Sequence, residues 1–159
     1  MSAPDLVVIH EHPEWQQPLF AELRRRGLSF EAFDLKCGSF SDLDLPRARL
    51  YFNQASPSAY VRGNARAVPR NLALLRHLAA RGARVVNGAE VFALELSKSA
   101  QHSLMRALGV DCPRSVVFND PAALTSLEDF AFPAQLKPDQ GGSGARIAVV
   151  GDVDEVAHV

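Results

Sequence analysis

The sequence predicts an α/β fold: a Rossmann-like unit with a parallel sheet over residues 1–95, then a small α+β segment over residues 96–159. Three observations carry that expectation. DLVVIH near the N-terminus is continuously apolar, as a strand covered on both faces must be. A helical pattern that ends in Gly and is followed by an apolar run occurs as FAELRRRG then LSFEAFDL, LLRHLAARG then ARVVNG, and SLMRALG then VDCPRSVVF. Near the C-terminus, FPAQLKPDQGGSGARIAVV sets two strand-like runs on either side of a glycine-rich turn.

In chain order, DLVVIH is the first strand, and Pro18 fits the first turn of the helix after it. Gly27, Gly82 and Gly109 stand where a left-handed residue closes a helix. Arg24, Arg25, Arg26 and Arg81 then fall in last turns, where cations meet the negative end of the helix dipole. RARLYFNQ (47–54) and ARVVN read as further strands, and Pro69 accompanies the helix between them. Helices between strands suit right-handed crossovers to parallel neighbours. Ser97 is the expected N-cap of a helix from Lys98 to about Leu108, and Pro113 leads into a strand, RSVVF. Asn119, Asp120 and Pro121 make a turn, with a short helix from about Ala122. FPAQLKP and ARIAVV pair as antiparallel strands across the glycine-rich turn. In GDVDEVAHV, Asp152 or Asp154 caps a helix whose Val156 points inward, and the pattern reads as a domain cut short.

The 159 residues suffice for one ordinary domain, or for a small domain with part of another, and the 47% apolar fraction supports a packed core. Seventeen Lys and Arg against eighteen Asp and Glu leave a net charge of −1, which gives no general attraction to nucleic acid or to an anionic membrane. Any anion must be held locally. Neither a signal peptide nor a membrane span is visible in MSAPDLVVIH, and Cys37 and Cys112 lack metal-ligand spacing. Reduced, buried or half-buried thiols in a cytoplasmic protein are the expectation.

Local anion chemistry is concentrated around Lys137. Gly141, Gly142 and Gly144 allow backbone N–H groups to approach an anion without Cβ obstruction, Ser143 adds a hydroxyl, and Lys137 adds a full charge. A plain hairpin turn has the same composition. The strand-turn-strand setting and the lack of any Gly-Lys dipeptide exclude a Walker loop, and G-x-G-x-x-G is absent. GGSGA lacks the final Gly and the following helix of a serine nucleophile elbow, so no catalytic residue is assigned.

Ligands of parallel sheets bind beyond the carboxyl ends of the strands. Those ends carry His10, Glu11 and His12, then Asn53, Gln54 and Ser56, then Asn87 and Gly88. His12, Asn53, Ser56 and Asn87 are candidate substrate contacts; Asn87 with Gly88 also fits a simple turn. Arg62 is a candidate bidentate clamp for a carboxylate, or else a surface arginine. His10, Glu11 and His12 have no third partner for a metal, and no metal site is assigned to this chain.

The stretch VVNGAEVFALELSKSAQHSLMRALGVDCPRSVVFND followed by FPAQLKPDQGGSGARIAVV resembles the ATP-grasp superfamily, above all RimK-type glutamate ligases and glutathione synthetase. The shared elements are Asn87, Lys98 at a helix start, the Gly109 to Pro113 step, Lys137 with Pro138, and Gly141 to Gly144, over residues 85–150. Arg146 stands where many relatives keep another glycine.

The resemblance implies a pre-ATP-grasp α/β domain at 1–95 and an incomplete first ATP-grasp lobe at 96–159. It implies ATP and Mg2+ as cofactors, with Lys98, Lys137 and Gly141, Gly142, Ser143 and Gly144 at the nucleotide and the metal ligands in a second lobe. It further implies that a carboxylate substrate attacks the γ-phosphate and that an amine captures the acyl phosphate. On that expectation the isolated chain binds ATP weakly and does not catalyse ligation. A binding module that keeps the scaffold without the chemistry is the alternative. The acid, the amine and the oligomeric state are not specified by the sequence.

Overall fold

The structure, a computed structural model, describes residues 3–41, 47–124, 129–142 and 144–158. Two compact units divide the chain at residues 93 and 94.

Unit 1 is built on a parallel sheet of four strands, β1 (Leu6–His10), β2 (Phe30–Asp34), β3 (Leu50–Asn53) and β4 (Val85–Val86), in the order β2-β1-β3-β4. The continuous apolar run becomes the central strand, because only a strand with neighbours on both edges and helices on its faces buries every side chain. Val7, Val8 and Ile9 are fully buried. β1 pairs with β2 through Ile9 and Phe33, and with β3 through Ile9 and Asn53. The chain moves outward from β1 to β2 and then returns to β1's other edge as β3. The strand order therefore reverses between β1 and β3, where open sheets of this kind leave a crevice. β3 and β4 are shorter than RARLYFNQ and ARVVN suggest.

Helix α1 (Gln17–Arg25) carries Pro18 in its first turn and buries Phe20 and Leu23, three residues apart on one face. Phe20 packs with Val8 and Leu23 and stacks on Phe30 with ring centroids 5.0 Å apart. Helix α2 (Ala67–Ala80) buries Asn71, Leu74, Leu75 and Leu78, the spacing of a stripe one face wide. Arg81 caps α2 and does not lie in its last turn, where His77 is found. Helix α3 (Ala89–Glu95) contains the division between the units.

Unit 2 contains α4 (Lys98–Ala107), the antiparallel pair β5 (Ala134–Leu136) and β6 (Ala148–Val150), and a final turn of helix, α5 (Val153–Val156). Gly27, Gly82 and Gly109 close α1, α2 and α4 with φ of 68, 68 and 70°, as expected of residues without a Cβ. Of the triple arginine, Arg24 and Arg25 lie in the last turn of α1 while Arg26 caps it; Arg25 and Arg26 both pair with Glu22, whose carboxyl their hydrogen bonds pull down to about 2. Ser97 caps α4, its hydroxyl accepting from the Ala100 amide at 3.1 Å. Asp152 caps α5 through the Glu155 amide at 2.9 Å, and Val156 is buried. Leu124, Val150 and Val156 form the core, with Phe118, Phe132 and Leu136 against them.

RSVVF is not a strand. Val116 and Val117 are exposed, and β propensity gives no ladder without a neighbour to pair with. The short helix after Asp120 is a 3-10 turn, Pro121–Leu124, started by the Asp120 carboxylate accepting from the Ala122 amide. Both cysteines are free; Cys37 is exposed, so only Cys112 is even partly covered. No helix among the described residues is long and apolar enough to cross a membrane.

Burial separates residues that hold the fold from those that do not. Leu75→Ala is expected to lower the unfolding free energy by about 2–5 kcal/mol. Leu108→Ala, at a position 70% exposed, should stay within about 0.5 kcal/mol. Urea denaturation of both variants measures the contrast.

Candidate functional site

The carboxyl edge of the sheet in unit 1 is polar, and His10, Glu11 and Asn53 are buried there. Glu11 follows β1 directly and is 2% exposed. Its Oε1 accepts from the Arg62 guanidinium and its Oε2 from Asn64 Nδ2 at 2.9 Å. Arg62 ends the 3-10 turn Pro57–Arg62, which Ser56 caps by accepting from the Ser58 amide. The guanidinium also donates to Ser58 Oγ at 3.0 Å and lies 4.6 Å from the Trp15 ring centroid. His12 stacks on Trp15 at 4.3 Å. Three of the sequence candidates, His12, Ser56 and Arg62, thus belong to one connected group. Arg62 is no bare surface cation: a buried carboxylate already balances its charge, which an incoming carboxylate would have to share.

Asn53 and Asn87 belong to a different arrangement. Asn53 Nδ2 donates to the Asn87 carbonyl, and Asn87 Nδ2 donates to the Asn53 carbonyl, at 3.2 and 3.1 Å. Asn53 Oδ1 accepts from the Ala55 amide and from Asn71 Nδ2. These amides tie the ends of β3 and β4 to α2 and to each other. Asn87 has φ of 58°, a region an asparagine tolerates better than most residues.

Unit 2 brings the lysine candidates to one place. Lys98 Nζ donates to the carbonyls of Pro138 and Asp139 at 2.8 and 3.3 Å, so its ammonium rests on the segment directly after Lys137. The Lys98 amide donates to the Asp139 carbonyl at 3.1 Å, and Asp139 Oδ1 accepts from the Ser99 amide at 2.7 Å and from Ser97 Oγ at 3.3 Å. The Ser99 amide, followed by the serine hydroxyls and the Lys98 charge, holds the Asp139 carboxyl below its usual range. Lys137 is exposed.

The turn that follows connects β5 to β6 as a hairpin and includes Gly141, Gly142 and Gly144; Ser143 lies outside the described residues. Gly144 has φ of 71° and Arg146 φ of 57°. The second value puts an arginine in the backbone region that glycine adopts freely, at the position where the resemblance expects a glycine.

Several participants carry no signal in the sequence. Nothing around Asp139 indicates that it meets a helix start 40 residues earlier. Asn64, Ser58 and Asn71 read as ordinary loop and helix residues. Trp15, the chain's single tryptophan, joins the group around Glu11 although the strand-end reading did not include it.

No protein-family model and no curated protein matches the sequence. Solved structures do match. A RimK-domain ATP-grasp protein from Sphaerobacter thermophilus superposes with a TM-score of 0.69 at 17% identity, over 96% of this chain and 57% of that one. The ATP-grasp ligase PsnB, complexed with a minimal precursor, gives 0.67 at 21% identity, over 98% of this chain and 60% of that one. PsnB with minimal precursor, Mg and ADP gives 0.65 at 21%, over 100% and 63%. The fold is that of ATP-grasp proteins. At these identities it is the fold that is shared, and the chain spans 57–63% of the length of the structures it matches. The ATP-grasp resemblance read over residues 85–150 therefore has a counterpart in fold along nearly the whole chain.

His10 is the last residue of β1, at the carboxyl edge of the unit 1 sheet. His10 is 2% exposed, sits edge-on to Phe20 at 5.8 Å, and its Nδ1 has no hydrogen-bond partner among the described residues. Burial pushes its pKa below the ordinary 6.5, with Lys36 adding to the effect and Asp34 and Glu11 opposing it. The folded state therefore keeps a neutral ring while the unfolded chain takes up a proton near pH 6.5. This contribution to stability is complete above that pH and falls away as the pH drops toward the folded pKa. Urea midpoints taken from about pH 7.5 down to about pH 5.5 should fall, and His10→Gln should reduce the slope.

Proposed function

We propose that this chain is the ATP-binding N-terminal part of an ATP-dependent carboxylate-amine ligase that works through an acyl phosphate. In this reading unit 1 is the pre-ATP-grasp domain and unit 2 belongs to the first ATP-grasp lobe. The observation that carries the reading is the meeting of Lys98 with Pro138 and Asp139, which gathers two lysines and a glycine-rich hairpin in one unit. The ATP-grasp fold supports it, as do the neighbours' ligands: PsnB has been solved with precursor peptide and AMPPNP, and with Mg and ADP.

The donor set suits a polyphosphate. Lys98 and Lys137 supply charge, and the amides around Gly141, Gly142 and Gly144 supply neutral donors. A unit-charge contact at about 4 Å is worth roughly 4 kcal/mol at an effective dielectric of about 20, before desolvation. Oriented donors of this kind hold the γ-phosphate in line with the attacking carboxylate. The carboxylate oxygen forms a bond to the γ-phosphorus as the bond to ADP breaks. The amine then displaces phosphate from the acyl carbon, and the amide forms with loss of a proton. The lysines orient the phosphates and offset charge as it moves to the leaving oxygen.

Magnesium does not fit the residues described. No group of three or more His, Cys, Asp or Glu side chains there could hold a metal ion, and none of the steps above runs through the ion. We assign its ligands to the part of an ATP-grasp fold that the chain does not span, and expect the 159-residue polypeptide alone to bind ATP weakly and to form no amide. In unit 1 we place substrate recognition at Arg62, His12 and Ser56 beside the 59% exposed Trp15, with Asn53 and Asn87 setting the edge behind them.

Calorimetric titration with Mg·ATP tests the lysines. Lys98→Ala and Lys137→Ala should each weaken binding about tenfold or more, equivalent to at least about 1.4 kcal/mol. Arg49→Ala, a change at an exposed residue of unit 1, should leave affinity unaltered. Equal affinity in all three variants would remove the lysines from the site.

A further inference from the structure

The first turn of α4 is satisfied in an unusual way. A helix start leaves its first amides without acceptors in the helix itself, and a local capping side chain normally takes one of them. Ser97 does so here for Ala100. The two amides before it go to a single distant residue: Lys98 N–H to the Asp139 carbonyl, and Ser99 N–H to the Asp139 carboxylate. The same carbonyl accepts from the Lys98 ammonium, as does that of Pro138.

The partition of these bonds has a consequence for charge. The Asp139 carboxylate bonds to a helix amide and a serine hydroxyl, while Lys98 is held by carbonyl oxygens. The acid thus fixes the base in place without a direct ion pair to its ammonium. Of the three ammonium donors, two are used among the described residues and one is left for a ligand.

We infer that Asp139 is a positioning residue for anion binding: it pins the segment after Lys137 to the first turn of α4 and sets the Lys98 ammonium beside that segment. The inference rests on reading Lys98 and Lys137 as nucleotide contacts. It runs against simple electrostatics. A carboxylate near a polyphosphate should repel it, so a spectator Asp139 would weaken binding and its removal would strengthen it. A positioning Asp139 has the opposite effect, because without its bonds to Ser99 and Ser97 only main-chain carbonyls still join the segment to α4.

The test uses the 159-residue chain and its Asp139→Ala and Asp139→Asn variants, with two readouts. Without nucleotide, amide hydrogen exchange at Ser99, and to a smaller extent at Lys98, should speed up in Asp139→Ala, about tenfold or more at Ser99. Asp139→Asn keeps an oxygen acceptor for Ser99 and should restore most of the protection. With Mg·ATP, Asp139→Ala should weaken binding at least about fivefold and Asp139→Asn should recover most of it. In a Lys98→Ala background, Asp139→Ala should add little, since a residue acting through Lys98 has no further effect once Lys98 is gone. Tighter or equal binding in Asp139→Ala overturns the proposal while leaving the nucleotide reading in place. If the unaltered chain binds no Mg·ATP at any accessible concentration, the nucleotide reading fails. Exchange then decides alone: faster exchange upholds the anchor, and unchanged exchange removes it.

Discussion

Backbone amides and carbonyls at the ends of helices and strands must find partners outside their own element, and this constraint shapes both candidate sites. At the carboxyl edge of the parallel sheet, Asn53 and Asn87 supply those partners. At the start of α4, Asp139 supplies them. In each case a side chain remote in sequence closes an element end. The cost of leaving such a group buried and unpaired, about 1–3 kcal/mol, is what makes the joins worth keeping. The polar residues that finish the fold are therefore also the ones that set the geometry of the candidate sites.

Charge is handled differently in the two units. In unit 1 the cation at the sheet edge, Arg62, is matched by a buried carboxylate with which it shares a polar network through Ser58 and Asn64. Removing either partner of such a pair leaves an uncompensated charge, so this group is fixed as much as it is available. In unit 2, Lys137 is exposed and Lys98 is held by neutral carbonyls. Of the two candidate sites, the one whose cations are not already matched by a carboxylate is thus in unit 2, beside donors on a hairpin. That difference is why a nucleotide is assigned to unit 2 and substrate recognition to unit 1.

Much of this was legible in the sequence, because the relevant signals are local. A continuous apolar strand, glycines closing helices, Ser97 before a helix and Asp152 before another depend on residues within a few positions of one another. So do Lys137 and its glycine-rich turn. RSVVF misled because a strand is defined by a neighbour, which its own residues cannot supply. Arg62 read as a substrate-carboxylate clamp or a surface arginine since its partner Glu11 lies 51 positions away, and Asp139 gave no sign of α4 for the same reason. The register β2-β1-β3-β4, which sets Asn53 beside Ile9, is likewise a property of pairing between distant segments.

If the nucleotide assignment holds, phosphates meet this chain at the start of α4 and on the hairpin after Lys137. Amide chemical-shift mapping of the 15N-labelled chain during titration with Mg·ATP both detects weak binding and locates it. The largest shifts are expected on Lys98, Ser99, Asp139, Gly141, Gly142 and Gly144, with AMP giving much smaller ones at those residues. Shifts centred instead on the carboxyl edge of the unit 1 sheet, around Glu11, Asn53 and Asn87, would refute the assignment.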